Sequence, residues 1–294
     1  RTNLKQQMRR VKNWFQPTWF SKSYIIDWIV TIAVFLVEAP LSNLVLKPYV
    51  RFLPENLGTV AYPTTPSTIP PWLLILVSLG VPVFVFGVFY MLFWKRKSLH
   101  DFHHAMLGMV QAFVFNNLFT DAIKVSCGRY RPDYLDRVKH NTGLESGRRS
   151  FPSGHSSTSF CAMVFVALYL NAKLGVFKKY GGEVWKVLIT MMPLSLSCAI
   201  AVTRTRDYHH NFSDILAGAI IGSVIALYCY HLHFPVLWSD NAEYPKTRQP
   251  QNKSGQAKYD YFKQVDENDE IADVEDILVT ENPINTNETD DGFD

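Results

Sequence analysis

The sequence is poor in the features that mark most secreted or metal-dependent proteins. It has 4 cysteines in 294 residues. Cys161, Cys198 and Cys229 lie in apolar stretches and only Cys127 reaches an outer loop, which excludes a disulfide framework. His and Cys show no zinc spacing, no pair of carboxylate clusters resembles a two-metal site, and no internal repeat is present. Charge is also missing where it would normally be found. Asn56 to Trp94 carries no charged residue, whereas Asp266 to Asp294 carries twelve acids and neither Lys nor Arg. A net charge of +3 therefore conceals an apolar body joined to a polar, acidic tail, and gives no reason to expect a nucleic-acid partner.

Six segments approach the ~20 residues that an α-helix needs to cross a bilayer, at about 25–46, 72–94, 103–123, 156–174, 184–203 and 213–234. The second is the clearest, an uncharged run from Trp72 to Trp94 with an aromatic at each end. The first carries Asp27, Glu38 and Pro40. The expected fold class is therefore all-α, a bundle of six transmembrane helices over residues 25–235. A basic cytoplasmic segment, 1–24, precedes it, and a disordered acidic cytoplasmic tail, 236–294, follows. The basic start leads into a full-length span rather than a short apolar stretch, so no cleavable signal peptide is expected.

Orientation follows from Lys5, Arg9, Arg10 and Lys12, the turn "KRKS" at 95–98 and the loop "NAKLGVFKK" at 171–179, which share one face. By the positive-inside rule that face is cytoplasmic. The long loop 124–154 opposes the rule, with Lys124, Arg129, Arg131, Arg137, Lys139, Arg148 and Arg149 on the lumenal or extracellular face. So many cations there call for a specific anion, and a phosphate fits best.

Three polar clusters fall on that same face. "KVSCGRYRPDYLDR" ends the third segment; its Lys124 offers a point charge and its Arg131 a planar fork that can grip two phosphate oxygens. A lysine at a span end also snorkels for purely structural reasons. "SFPSGHSSTS" opens the fourth segment, where a helix N-terminus favours an anion. There Gly154 allows close backbone approach, and Ser153 can donate its hydroxyl or cap the helix. His155 stands at the helix mouth. The third cluster, "TRTRDYHHNFSD" at 203–214, joins the last two segments. Asp214 lies four residues after His210 and five after His209, so it can share a helix face with His210 alone. A carboxylate holding one imidazole nitrogen leaves the other a free lone pair, which makes an oriented nucleophile or base. His209 lacks that partner and reads as an interfacial histidine. Arg204 adds a third cation, while Arg206 and Asp207 can pair with each other.

Cations to neutralise equatorial oxygens, an in-line nucleophile and an acid for the leaving oxygen are what phosphoryl transfer requires. At this point the sequence resembles the PAP2 family, the type 2 phosphatidate (lipid phosphate) phosphatases. Its three motifs stand here as K-x6-R-P from Lys124 to Pro132, P-S-G-H from Pro152 to His155, and R-x5-H-x3-D through Arg204, His210 and Asp214. The resemblance covers roughly residues 20 to 235. It implies a phosphohistidine formed on His210 and oriented by Asp214, with His155 as the acid. Lys124, Arg131, Arg204, Ser153 and the amide of Gly154 would form the phosphate cradle, with no metal and no cofactor. "GRYRPDYLDR" is most similar to the lipid phosphate phosphatase branch, including fungal diacylglycerol pyrophosphate phosphatases. Two departures are Thr203 where the family has Ser before the arginine, and Val138 where a cysteine is common. The first keeps the hydroxyl; the second weakens a subgroup assignment.

The expected substrates are lipid phosphomonoesters such as phosphatidic acid and lysophosphatidic acid, together with diacylglycerol pyrophosphate, reached from the bilayer. A phosphatase for sphingoid or isoprenoid phosphates stays open. So does a non-catalytic membrane scaffold signalling through its tail, and homo-oligomerisation is allowed. A channel is disfavoured because the charges gather at one interface and not at mid-bilayer. Asn211, Asn252 and Asn287 are expected to be unglycosylated.

Overall fold

In a computed structural model of the chain, residues 22–92, 99–178, 182–239 and 241–246 are described. The expected basic segment 1–24, apart from its last three residues, and nearly all of the acidic tail lie outside them. Among the described residues there are eight α-helices and no strand. Six are long: α1 (Lys22–Pro40), α2 (Pro71–Leu92), α3 (Leu99–Cys127), α6 (Gly154–Lys173), α7 (Val184–Arg206) and α8 (Phe212–His233). Two short ones, α4 (Tyr134–Lys139) and α5 (Leu144–Gly147), sit in the loop between α3 and α6. A π-helical turn, Leu41–Val45, extends α1, and a 3-10 turn, Leu57–Val60, interrupts the stretch before α2.

Every apolar segment read from the sequence is a helix, within a few residues of the expected ends. Among the described residues, α2, α7 and α8 are the helices both long and apolar enough to cross a membrane by length and composition. Residues of α6 are mostly buried, because that helix packs against α2, α3, α7 and α8. Its Ser156, Ser157, Thr158 and Ser159 consequently face protein. A helix shielded in this way does not need the apolar composition of one that faces lipid.

Helix α8 shows how the bundle is sorted. Leu216, Ile220, Val224 and Leu227 are exposed, whereas Gly218, Gly222, Ala226 and Cys229 face inward. Large apolar groups outside and small ones inside are the pattern of helices packed in a membrane. A Cβ on Gly222 would lie 2.1 Å from the Ser157 carbonyl oxygen, and one on Gly218 would lie 2.6 Å from that of Ser153. Only glycine allows this backbone approach of α8 to α6. The G-x-x-x-G spacing of Gly218 and Gly222 carries that signal in the sequence. The contact aligns the first turns of both helices: the Ser153 amide donates to the Asp214 carbonyl at 2.9 Å, and the Ser156 hydroxyl to the Ile215 carbonyl at 2.8 Å.

The other end of α6 is an aromatic core. Phe86 meets Tyr169 edge-on at 4.7 Å, and Tyr230 stacks on Phe234 at 5.0 Å. Phe86, Phe165, Tyr169, Tyr230 and Phe234 are all buried, and full burial of a side chain of this kind is worth about 1.5–3 kcal/mol. Tight packing at one end leaves the polar first turn of α6 available for chemistry at the other.

Candidate active site

The first turn of α6 is the floor of the site. Ser153 caps the helix, its hydroxyl oxygen accepting the Ser156 amide at 3.4 Å, and is fully buried. Gly154 follows, and Lys124, in the last turn of α3, lies directly over it. A Cβ at position 154 would stand 2.7 Å from Lys124 Nζ, so the missing side chain makes room for the ammonium. Asp121, one turn earlier on α3, accepts from Lys124 Nζ at 2.9 Å and takes the Ser42 hydroxyl on its other oxygen at 3.3 Å. Asp121 lies outside the three motifs; its i, i+3 spacing from Lys124 is its signal in the sequence.

Arg131 follows α3 and is anchored by its amide, which donates to the Gly147 carbonyl at 2.8 Å. Its side-chain Nε is buried and without a hydrogen-bond partner. Burial and the neighbouring charges of Arg137 and Arg204 bring its guanidinium down to about 10, against the pull of Asp133 and Asp214. A buried cation near other cations with an unused donor has the chemistry to accept an anion.

Arg204 is buried in the last turn of α7, and its Nη2 pairs with Asp207 at 2.6 Å. The expected pairing of Arg206 with Asp207 is therefore replaced by one with Arg204, because an i, i+3 step places Asp207 beneath Arg204 at the helix end. The α7 chain end also fixes the histidines, since the amides of His209 and His210 donate to the Arg204 carbonyl at 3.1 and 3.2 Å.

His210 is buried just ahead of α8, outside the helix, and Asn211 is the N-cap. Its Nδ1 is 3.8 Å from Asp214 Oδ2, an ion-pair separation and not a hydrogen bond. Its Nδ1 partner is the Ser150 carbonyl at 2.8 Å. The expectation that the carboxylate takes the imidazole proton directly therefore changes. Asp214 is already occupied by the Ser150 hydroxyl at 2.6 Å, the Asn211 amide at 3.0 Å and Arg129 Nη1 at 2.9 Å. The physical reason is helix geometry: α8 starts only at Phe212, so His210 does not share its first turn. Ser150 and Arg129 are contacts the sequence did not reveal. Ser150 reaches His210 through its main-chain oxygen and Asp214 through its hydroxyl, and Arg129 is one of several cations in the same loop.

With Nδ1 donating to a carbonyl, Nε2 carries the lone pair. Burial drives the His210 imidazole well below the ordinary histidine range despite Asp214, helped by the Arg131 and Lys124 cations, so it stays neutral at neutral pH. His209 is also lowered by burial and its Nδ1 faces the Asp207 carbonyl at 2.7 Å. His155, in the first turn of α6, has Nε2 2.9 Å from the Ile69 carbonyl, and the fields of Arg204, Arg131 and Lys124 all reach it. The three sequence clusters thus share one polar patch at one end of the bundle. Among the described residues no group of three or more His, Cys, Asp or Glu side chains is placed to hold a metal ion.

Comparison with known proteins identifies the family. Residues 105–238 match the PAP2 superfamily. A PA-phosphatase related-family protein of Dictyostelium discoideum is 47% identical over 82% of this chain and 91% of its own length. Lipid phosphate phosphatase 1 of Arabidopsis thaliana is 32% identical over 82% of the chain and 73% of its own length. The probable diacylglycerol pyrophosphate phosphatase 1 of Schizosaccharomyces pombe is 31% identical over 74% and 84%. No solved structure matches the chain.

Proposed function

The chain belongs to the PAP2 superfamily, in its lipid phosphate phosphatase family, and from that premise we propose that it hydrolyses lipid phosphomonoesters without a metal, through a phosphohistidine on His210. Phosphatidic acid is the type substrate, with lysophosphatidic acid and diacylglycerol pyrophosphate beside it. The observation that carries the reading is the state of His210: buried, neutral, bonded through Nδ1 to the Ser150 carbonyl, with Nε2 unoccupied among cations.

In this reading Lys124, Arg131 and Arg204 neutralise the phosphoryl oxygens while Ser153 and the Gly154 amide close the cradle at the helix N-terminus. The Nε2 lone pair of His210 attacks phosphorus, and the bond to the lipid alcohol breaks. The departing oxygen takes a proton from His155, whose Nδ1 is the nitrogen left over once Nε2 donates to the Ile69 carbonyl. The dianionic phosphate arriving between the cations supplies the negative charge that favours a protonated His155. His210 becomes a phosphoimidazolium whose positive charge Asp214 balances from 3.8 Å. Water, deprotonated by His155, then attacks phosphorus, the P–N bond breaks, and inorganic phosphate leaves with His210 restored.

Six spans, with the N-terminus and tail on the cytoplasmic side and the site on the lumenal or extracellular side, complete the proposal. They put the cradle beside the lipid headgroups while the acyl chains stay in the bilayer. The domain limits follow: 1–24 basic segment, 25–235 phosphatase body, 236–294 tail. The test is phosphate release from phosphatidic acid in detergent micelles containing excess EDTA, run beside lysophosphatidic acid, diacylglycerol pyrophosphate, sphingoid phosphates and isoprenoid phosphates. Turnover by the wild type and its loss in His210→Ala are expected. Activity surviving in His210→Ala would overturn the role of that residue, and preference for a sphingoid or isoprenoid phosphate would overturn the substrate class.

A further inference from the structure

One segment touches all three motifs and belongs to none of them. Tyr62 to Ile69 precedes α2 and lies outside the stretch 105–238 that matches the superfamily. At the first motif, the Tyr62 amide donates to the Pro132 carbonyl at 3.0 Å, and the Thr64 amide to Asp136 Oδ2 at 2.9 Å. At the second, the Ile69 carbonyl meets His155 Nε2. At the third, the Tyr62 ring stacks on Tyr208 at 4.8 Å, the Thr65 hydroxyl donates to the Asp207 carbonyl at 2.6 Å, and Ser67 accepts from Arg204 Nη1 at 2.6 Å.

We propose that Tyr62–Ile69 is a fourth wall of the phosphate site and that Ser67 is the positioning residue for Arg204. This rests on the phosphatase reading above.

Counting donors makes the case. A guanidinium has five N–H groups. Arg204 uses three: Nε to Thr203 Oγ1 at 3.1 Å, Nη1 to Ser67 Oγ at 2.6 Å and Nη2 to Asp207 Oδ2 at 2.6 Å. One N–H remains on each terminal nitrogen, which is the pair a phosphate can engage with two oxygens. Three restraints on three nitrogens fix the plane of the fork, and Ser67 is the one supplied from the strap. Asp207 ties the strap down at the same point, accepting the Thr68 amide at 2.7 Å and the Thr68 hydroxyl at 2.6 Å on its two oxygens. Those two Thr68 bonds, with Arg204, outweigh burial and hold the Asp207 carboxyl below the ordinary range, so the anchor stays charged.

The composition of the strap suits this task. Pro63 and Pro66 restrict its backbone and Pro70 restricts Ile69 just before it, so little ordering entropy is lost when it seats. It carries hydroxyls and no charge, so it orients a cation without bringing a carboxylate of its own to compete with the phosphate.

The experiment measures inhibition by inorganic phosphate, as a Ki, together with kcat and KM on phosphatidic acid, for the full-length wild type, Ser67→Ala, Ser67→Thr and Thr68→Val in micelles. Ser67→Ala is expected to raise the phosphate Ki and the KM by about fivefold to twentyfold, with kcat changed less than about threefold. Ser67→Thr, which keeps the hydroxyl, should return both to within about twofold of wild type. Thr68→Val should move Ki in the same direction by a smaller factor, and it carries the prediction alone if Ser67→Ala does not fold. An unchanged Ki in Ser67→Ala, with an active wild type, would remove the role of the strap and leave the phosphatase reading intact. A lowered Ki would make the Ser67 hydroxyl a competitor of phosphate and overturn the proposal from the other side. A wild type that neither turns over nor is inhibited by phosphate would sink the phosphatase reading itself.

Discussion

Helices α3 and α8 run between two buried histidine arrangements, and the two differ in what they leave unused. At one end, His104 Nδ1 lies 3.1 Å from His233 Nδ1, and His233 Nε2 lies 2.7 Å from Gln111 Oε1. The carbonyl oxygen of Gln111 can only accept, so His233 donates through Nε2 and accepts through Nδ1 the proton that His104 provides. Both nitrogens of His233 are spent. At the other end, ~30 Å away along α3, His210 spends one nitrogen on Ser150 and its Nε2 makes no hydrogen bond among the described residues. The cations differ too. Lys173 is taken by Asp101 at 2.6 Å and Lys178 by Glu243 at 3.2 Å, whereas Arg131 keeps a buried, unpartnered Nε. Burial is common to both arrangements; what sets the proposed nucleophile apart is an unused ring nitrogen near a cation with an unpartnered donor.

Exchanging each histidine for a neutral amide is the strongest way to break this comparison. His210→Gln should cost at least about 10³-fold in kcat with the fold retained, because the covalent step is lost. His104→Gln should stay within about threefold, its cost falling on thermal stability instead. Equal losses of turnover in the two variants would erase the distinction. Arg131→Lys comes next: a point charge in place of a fork should lower kcat/KM by about 10- to 100-fold on phosphatidic acid. A change under threefold would mean that Arg131 does not meet the phosphate.

The two glycine contacts sharpen the same contrast between packing and chemistry. In Gly154→Ala the new Cβ would press on Lys124 Nζ, so kcat/KM should fall by about tenfold while the melting temperature holds. In Gly222→Ala it would press on the Ser157 carbonyl, backbone against backbone, and stability should drop by about 1–3 kcal/mol in thermal or denaturant unfolding. If both variants changed the same property, floor and packing seam would not be separate features.

The smallest effect is on pH. In the proposed mechanism His210 attacks as the neutral form, and burial lowers its pKa, so acidification protonates it later than an ordinary histidine. The acid limb of kcat/KM for phosphatidic acid, which reports the free enzyme, should therefore lie below about 6.5. An acid midpoint at or above that value would contradict a desolvated nucleophile.

The sequence made the apolar helices and the motif residues legible for local reasons. Periodicity and uncharged length locate α2, α7 and α8, and fixed spacings identify Lys124, His155 and His210. The site lost clarity wherever a main-chain atom or a distant segment supplied the contact. The carbonyls of Ser150 and Ile69 bond the two histidines, yet a carbonyl leaves no residue signature. Ser67 reaches Arg204 across 137 positions of sequence, and nothing local to either residue announces it. Segment 156–174 is legible as a helix from its apolar residues, but the burial of its serines by four neighbouring helices is not.

The claim that His210 is the group attacking phosphorus is tested most directly by rapid acid-free quenching of the enzyme with [³²P]phosphatidic acid, followed by phosphoamino-acid analysis. The account predicts a base-stable, acid-labile phosphohistidine in the wild type that is absent from His210→Gln. Label on another residue, or an equal yield from His210→Gln, would contradict it.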